Sequence, residues 1–382
     1  MTVPPFTPIP VLQGEPSQSR GSIPTPALVA GLFSRRQIRS ITDGLTNVII
    51  KTGGISIILC IIGMCIFLVK EVIPLFQPSH ATQTEPIALS QPARPSASAL
   101  IGIDEHQELA YVLRGGSLEF VFLAGTTPTT SQIPPRVLLP DGSVTAVARA
   151  LGKGHSLAMG TEDGHVIPVA IEFTQDFQGN ERSIAPSVTV GAPLVTAPTP
   201  QPITKMAYQS TDSDVRIAAL LQDQHLWLTT SRTASRPDGT AAASITQVDL
   251  TPNIPGRMTA ITLAGRAELL AVGTEDGKVY HFDLQEPAKP GLVDTTQASE
   301  GSDAITALAY LMSDRSLVVG DASGQIAVWM PVREHAATNT THMTRIHRFA
   351  PHQSAVTDIT ISQRDKGFMT TDAKGEIRLH HS

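Results

Sequence analysis

The residues best placed to do chemistry are two acidic pairs, Glu162-Asp163 and Glu275-Asp276. Each stands in the same setting, Thr-Glu-Asp-Gly, and adjacent carboxylates are raw material for a calcium site or an acid/base couple. Asp and Gly are also turn formers: Asp bonds its own backbone and Gly supplies positive φ. Because the quartet recurs as part of a longer repeat, the turn role is the one adopted. His342, His347 and His352 are spaced by five, which does not put all three on one face of a strand, so they do not make a zinc set. Cys60 and Cys65 lie inside an apolar run, where cysteine serves as a small packing residue. Trp227 and Trp329 are read as sheet packing rather than ligand platforms. No nucleophile elbow, phosphate loop, HExxH or EF-hand loop occurs. No residue is therefore expected to be catalytic, cofactor-binding or metal-ligating, and no enzyme is expected.

Composition narrows the classes further. Aromatic residues make up 4% and charged residues 16% of the 382, while Gly and Pro number 29 each. That turn-rich mixture favours many short strands over long helices. A net charge of −6, with no basic cluster outside the membrane flank, argues against nucleic acid, which demands a dense basic face. With both cysteines in the apolar run, nothing downstream can form a disulfide, so the large domain depends on burial alone.

From Thr52 to Val69 the chain reads TGGISIILCIIGMCIFLV, without a charge. Such a stretch rises about 27 Å as a helix, close to the hydrocarbon thickness of a bilayer. Thr52, Ile55, Ile58, Ile62, Phe67 and Val69 mark the expected anchor, and Lys51 and Lys70 bracket it. Arg35, Arg36 and Arg39 lie upstream, whereas Lys70 is offset by Glu71. The positive-inside bias puts the N-terminus in the cytoplasm and residues 77–382 outside. A cleaved signal peptide is the rival. The small residues Ser79 and Ala81 lie too far beyond the apolar run for it, and that run starts fifty residues in. The expected organisation is a disordered cytoplasmic tail with a short basic juxtamembrane segment over 1–47, in which residues 36–47 are expected to form a short interfacial helix leading into the span, then a transmembrane helix over 48–76, a linker over 77–96 and a repeat domain over 97–382.

One pattern recurs through that last region: an apolar or β-branched residue, Thr, any residue, an apolar residue, then Ala or Thr. It stands at Val144–Ala148, Ile203–Ala207, Met258–Thr262, Ile305–Ala309 and Val356–Thr360, with a weaker copy at Ala97–Ile101. Each copy leads through an apolar run to a turn ending at Gly116, Gly164, Gly277, Gly324 or Gly375, with Gln224 holding the place once. The distance from Thr or Ser to that position is 18 to 20 residues, whereas the whole repeat runs from 47 to 60. A three-stranded meander has lengths fixed by pairing, while the joint to the next unit varies on the surface. Alternating strands follow each turn, such as KVYHFDL at 278–284. Six units that cannot bury their faces singly predict an all-β propeller of about six blades with three or four strands each. Residues 85–90 are expected to add a fourth strand to the last blade. A parallel β-helix, the alternative repeat fold, would need shorter coils without hairpins.

The strands resemble degenerate WD40 repeats. Phe282-Asp283 and Trp329-Met330 sit where that family places its Trp-Asp pair, and Pro351-His352 where it places Gly-His. The plan of a Pro-rich start, one helix ending in KEVIPLFQ and a WD40-like domain is similar to the long-form phosphate ABC-transporter permease subunit. The stretches FAPHQSAVTDI and KGFMTTDAKGEIRLHHS look like the end of that family's inserted domain. The resemblance implies a periplasmic propeller on an inner-membrane anchor. It also implies partners among ABC transporter subunits: the remaining permease helices, a second permease and a periplasmic phosphate-binding protein. The chain departs from the family in having no second span. It is therefore expected to be the front part of a permease, and no transport residue carries over. The alternative is an independent tethered scaffold that binds envelope proteins. A propeller enzyme would need repeated acids or cofactor-stacking tryptophans, and there are only two tryptophans.

Overall fold

The computed structural model describes residues 35–76, 87, 89, 99–123, 133–140, 143–152, 154–178, 181–211, 214–235, 241–333, 341–362 and 367–381. The expected tail over 1–34 and most of the expected linker lie outside them. The chain divides into two compact units, Met1–Pro86 and Ile87–Ser382.

In the first unit one α-helix runs over Arg35–Val72 and passes into a single 3-10 turn, Ile73–Phe76. The short helix expected over 36–47 is not separate from the span. The helix is instead continuous, because no proline interrupts it before Pro74, whose missing N–H ends regular α-structure. Within its portion Thr42–Val72 an 18-residue window reaches a mean hydropathy of 2.5 and buries nothing. A core helix of a soluble protein shows one apolar stripe, but this one is apolar all round. Thr52 fits such a segment because its hydroxyl donates to the Val48 carbonyl one turn back, at 2.6 Å. By length and composition the helix is able to cross a membrane.

The second unit is a six-bladed propeller of antiparallel meanders. Its innermost strands are Ala99–Ile103, Val144–Arg149, Ile203–Ser210, Met258–Leu263, Ile305–Tyr310 and Val356–Ile361. Blades 1 to 5 carry four successive strands, and blade 2 adds the short strand Leu194–Val195. Blade 6 has three, ending with Ile377–His381. The proposed fourth strand over 85–90 falls almost wholly outside the described residues. Ile87 and Leu89, which are described, are not in a strand.

Apolar clusters fill the seams between blades 1 and 2, 2 and 3, 3 and 4, 4 and 5, and 5 and 6. The seams share a lock. Gly160, Gly273 and Gly320 leave room on the second strands of blades 2, 4 and 5, and Ile203, Ile305 and Val356 of the following blade occupy it. These occupants are the first residues of the repeat pattern. Blade 3 has Leu220 in place of the glycine, and there Met258 of blade 4, a flexible side chain, takes the place of Ile or Val. Between blades 6 and 1 no such cluster forms among the described residues. Ile101 on one side of that seam is 65% exposed, and Ile377 and Leu379 on the other are 67% and 70% exposed.

Candidate functional site

The six inner strands surround a cavity of ≈ 340 Å³, to which each contributes. Ala99, Ala146, Lys205, Ala260, Ala307 and Asp358 are among the lining residues. The repeated Thr shapes this wall. At five inner strands the ladder shifts register just where the Thr stands. There the hydroxyl donates across the bulge to a carbonyl of the second strand: Thr204 to Leu220 at 3.0 Å, Thr306 to Gly320 at 3.3 Å, Thr357 to Thr371 at 3.2 Å. Thr145 does the same to Gly160, whereas the Thr259 hydroxyl lies 3.2 Å from the Gly273 carbonyl and 2.6 Å from the Ile305 carbonyl of the next blade. A bulge leaves one residue unpaired, and the hydroxyl satisfies the exposed carbonyl. Blade 1 lacks the Thr, and its first ladder runs without a shift.

The turn positions form a second set. Backbone φ is positive at Gly116 (85°), Gly164 (82°), Gly277 (79°), Gly324 (91°) and Gly375 (83°), and Gln224 adopts 69°. The turn acids are engaged locally. Thr161 donates to Asp163, which also pairs with His165 at 3.0 Å. Asp276 accepts from Thr274 and Lys278, each at 2.6 Å. The Lys278 ammonium, with the Thr274 hydroxyl, holds the Asp276 carboxyl below the usual range. In blades 5 and 6 an Asp opens the turn. Asp321 accepts the Gln325 N–H at 3.0 Å, and Asp372 accepts the Glu376 N–H at 2.8 Å. These carboxylates cap hairpins.

The third arrangement centres on His352, whose side chain is fully buried. Its Nδ1 lies 3.2 Å from the Glu376 carboxylate, and its Nε2 lies 2.8 Å from the Thr370 hydroxyl. Thr370 in turn meets His380 Nε2 at 2.8 Å. His352, Asp372 and Glu376 are the group of possible metal donors among the described residues. Their lone pairs are already engaged. Ser354 and the Lys374 and Glu376 N–H groups bond Asp372, and Arg378 clasps Glu376 with two nitrogens at 2.7 and 3.0 Å. Arg378 and Ser354 accordingly hold the Glu376 and Asp372 carboxyls below their usual ranges. The arrangement fastens the connection entering blade 6 to that blade's hairpin, and it does not fit a metal. His342 and His347 do not join His352 in that donor group.

The sequence-named anchor residues Thr52, Ile55, Ile58, Ile62, Phe67 and Val69 all lie on the helix and are exposed, as are Lys51 and Lys70. Arg35, Arg36 and Arg39 occupy its first turns. Three residues went unnoticed in the sequence. Lys205 and Asp358 carry charge at the variable third place of the repeat, where blades 2, 4 and 5 have alanine, and that contrast was the available signal. Arg216 is buried and donates to the Ala267 and Leu284 carbonyls of the next blade at 2.6 and 2.9 Å. Nothing in its local sequence sets it apart from a surface arginine.

No protein-family model matches the chain, and no curated protein does. Among solved structures it is similar to the β-propeller domain of Cps50 (Swd1) from Myceliophteria thermophila: 14% identity, TM-score 0.45, 76% of this chain and 88% of that one. It is also similar to Sqt1 from Chaetomium thermophilum, at 16% identity and TM-score 0.45, covering 74% of this chain and 68% of that one. Sqt1 bound to the N-terminus of ribosomal protein L10 gives the same identity and score, with 74% and 71% covered. The six meanders around a channel, with a buried His352–Thr370 pair and a Ser354–Asp372 pair in the last, make the second unit a WD40-like β-propeller.

Proposed function

We propose that the chain is a single-pass inner-membrane protein with a cytoplasmic N-terminus and a periplasmic, non-enzymatic propeller that serves a phosphate ABC importer as an accessory docking domain. The observation that carries the anchored reading is the helix itself, exposed over Thr42–Val72 and uncharged on every side from Thr52 to Val69. Orientation is supported by Arg35, Arg36, Arg39 and Lys51 on one flank, against Lys70 and Glu71 on the other. The importer is supported by the resemblance of the helix end and of the residues after Arg348 to the long-form permease. The one candidate span among the described residues does not by itself enclose a polar pathway, so the part proposed for the propeller is to contribute contacts. The test is in-membrane crosslinking of the full chain in phosphate-starved cells, followed by identification of partners. Permease and phosphate-binding subunits are expected, with reduced phosphate uptake when the propeller is deleted. Recovery of unrelated envelope proteins with uptake unchanged would instead establish an independent tethered scaffold. That second reading is favoured by the propeller's being a compact unit in its own right.

A further inference from the structure

The third residue of the repeat is Ala146 in blade 2, Lys205 in blade 3, Ala260 in blade 4, Ala307 in blade 5 and Asp358 in blade 6, and all five line the channel. The two charged side chains are exposed and the three alanines are buried. Blades 3 and 6 stand three apart in a ring of six, so an ammonium and a carboxylate reach the channel from opposite walls. Among the described residues neither has an ion-pair partner. The Asp358 carboxylate is steadied by the Ile359 N–H at 2.9 Å and the Thr360 hydroxyl at 3.2 Å.

The rest of the lining decides which ligand suits this pair. Thr204, Thr306 and Thr357 face the cavity, but the Thr204 and Thr306 protons are committed to strand carbonyls and the Thr357 hydroxyl is engaged with the carbonyl and hydroxyl of Thr371. What each has left to offer is an acceptor oxygen. A free anion would meet one donor, Lys205, among acceptors and a carboxylate, whereas anion sites converge several donors. A metal ion would meet the Lys205 charge. A molecule carrying both signs satisfies both walls: its carboxylate on Lys205, its ammonium on Asp358 and the Thr oxygens. The cavity, at ≈ 340 Å³, falls at the lower end of small-ligand pockets, roughly 300–1,000 Å³.

We propose that the channel binds a small zwitterion of amino-acid type, held between Lys205 and Asp358. The site goes beyond the docking role and does not depend on the membrane or importer reading. The test is calorimetric titration of the full chain in detergent with β-alanine, γ-aminobutyrate and 5-aminopentanoate, which space the two charges progressively. Propionate and propylammonium serve as the separated halves. Saturable binding of at least one zwitterion is expected, with each half weaker by about tenfold or more. Lys205→Met and Asp358→Asn are each expected to weaken binding by about tenfold, while the double exchange Lys205→Asp with Asp358→Lys restores it. Lys205→Arg, which keeps the charge, is expected to bind and serves if Lys205→Met does not melt cooperatively. No saturable heat with any of the three zwitterions up to about 10 mM, or undiminished binding by folded Lys205→Met and Asp358→Asn, would overturn the proposal.

Discussion

His281 shows how burial at a single residue sets a property of the whole fold. It lies on the third strand of blade 4, directly opposite Asp294, and desolvation pushes its imidazole down to about 4 even though Asp294 pulls the other way. In the unfolded chain an imidazole titrates near about 6.5. Between those values the unfolded chain takes up a proton that the folded chain refuses. Stability is therefore whole above the unfolded value and falls as pH drops through the window, by on the order of 3 kcal/mol once pH is below the folded value. In His281→Gln the loss of unfolding free energy between neutral pH and pH near 4 is expected to be smaller by that amount. Urea titrations of the two proteins across the window check this, and parallel curves would contradict it. At this scale the sequence was only partly legible. The turn glycines and Thr-Glu-Asp-Gly quartets could be read because a turn is a local event with local chemistry. Arg216 and His281 could not, because their roles depend on backbone carbonyls or burial contributed by residues far along the chain.

Among elements, the inner strand carries most of the repeat's logic. Its first residue enters the space left by a glycine in the preceding blade, and its Thr closes the bulge. Both tasks recur at fixed places, so the pattern was visible as letters before its causes were. A Cβ on Gly320 would sit 2.7 Å from Val356 Cγ1 and 2.9 Å from its Cβ. Gly320→Ala is therefore expected to cost roughly 1–3 kcal/mol by overpacking. Val356→Ala empties the same space, so the double variant should be more stable than the sum of the single losses implies. A double-mutant cycle by chemical denaturation measures that coupling, and strict additivity would count against the lock. The first blade follows a different rule. Its hairpin is a two-residue turn with positive φ at both Gly115 and Gly116, and its inner strand has no Thr bulge. Those departures explain why its copy of the pattern read as weak. The helix was legible almost throughout, because eighteen uncharged residues leave few alternatives. Its flank over 36–47 was legible as helix but not as one continuous with the span, since a basic flank is compatible with a separate interfacial helix.

For the whole molecule, the number of blades followed from counting repeats, but the unevenness of the ring did not. Five seams hold apolar clusters and the sixth holds none among the described residues. Met369, Ile377 and Leu379 of blade 6 and Ile101 and Ile103 of blade 1 stay exposed there. Opening is expected to begin at that seam, because local stability follows buried apolar contact. Amide hydrogen exchange should run at least about a hundredfold faster in Ile377–His381 and Ala99–Ile103 than in the second strands of blades 3 to 5, Asp214–Leu221, Leu269–Thr274 and Leu317–Asp321. Uniform protection around the ring would show that the seam is closed by contacts outside the described residues.

The central claim, an anchored propeller facing away from the cytoplasm, is tested most directly by labelling one turn from one side. Glu275 is exposed at the tip of the blade 4 hairpin. Glu275→Cys, with Cys60 and Cys65 replaced by Ala, places a single thiol there. In intact spheroplasts a membrane-impermeant maleimide is expected to label that thiol, and the protein is expected to stay in the membrane pellet after alkaline carbonate extraction. Labelling only after lysis, or release into the carbonate supernatant, would contradict the account.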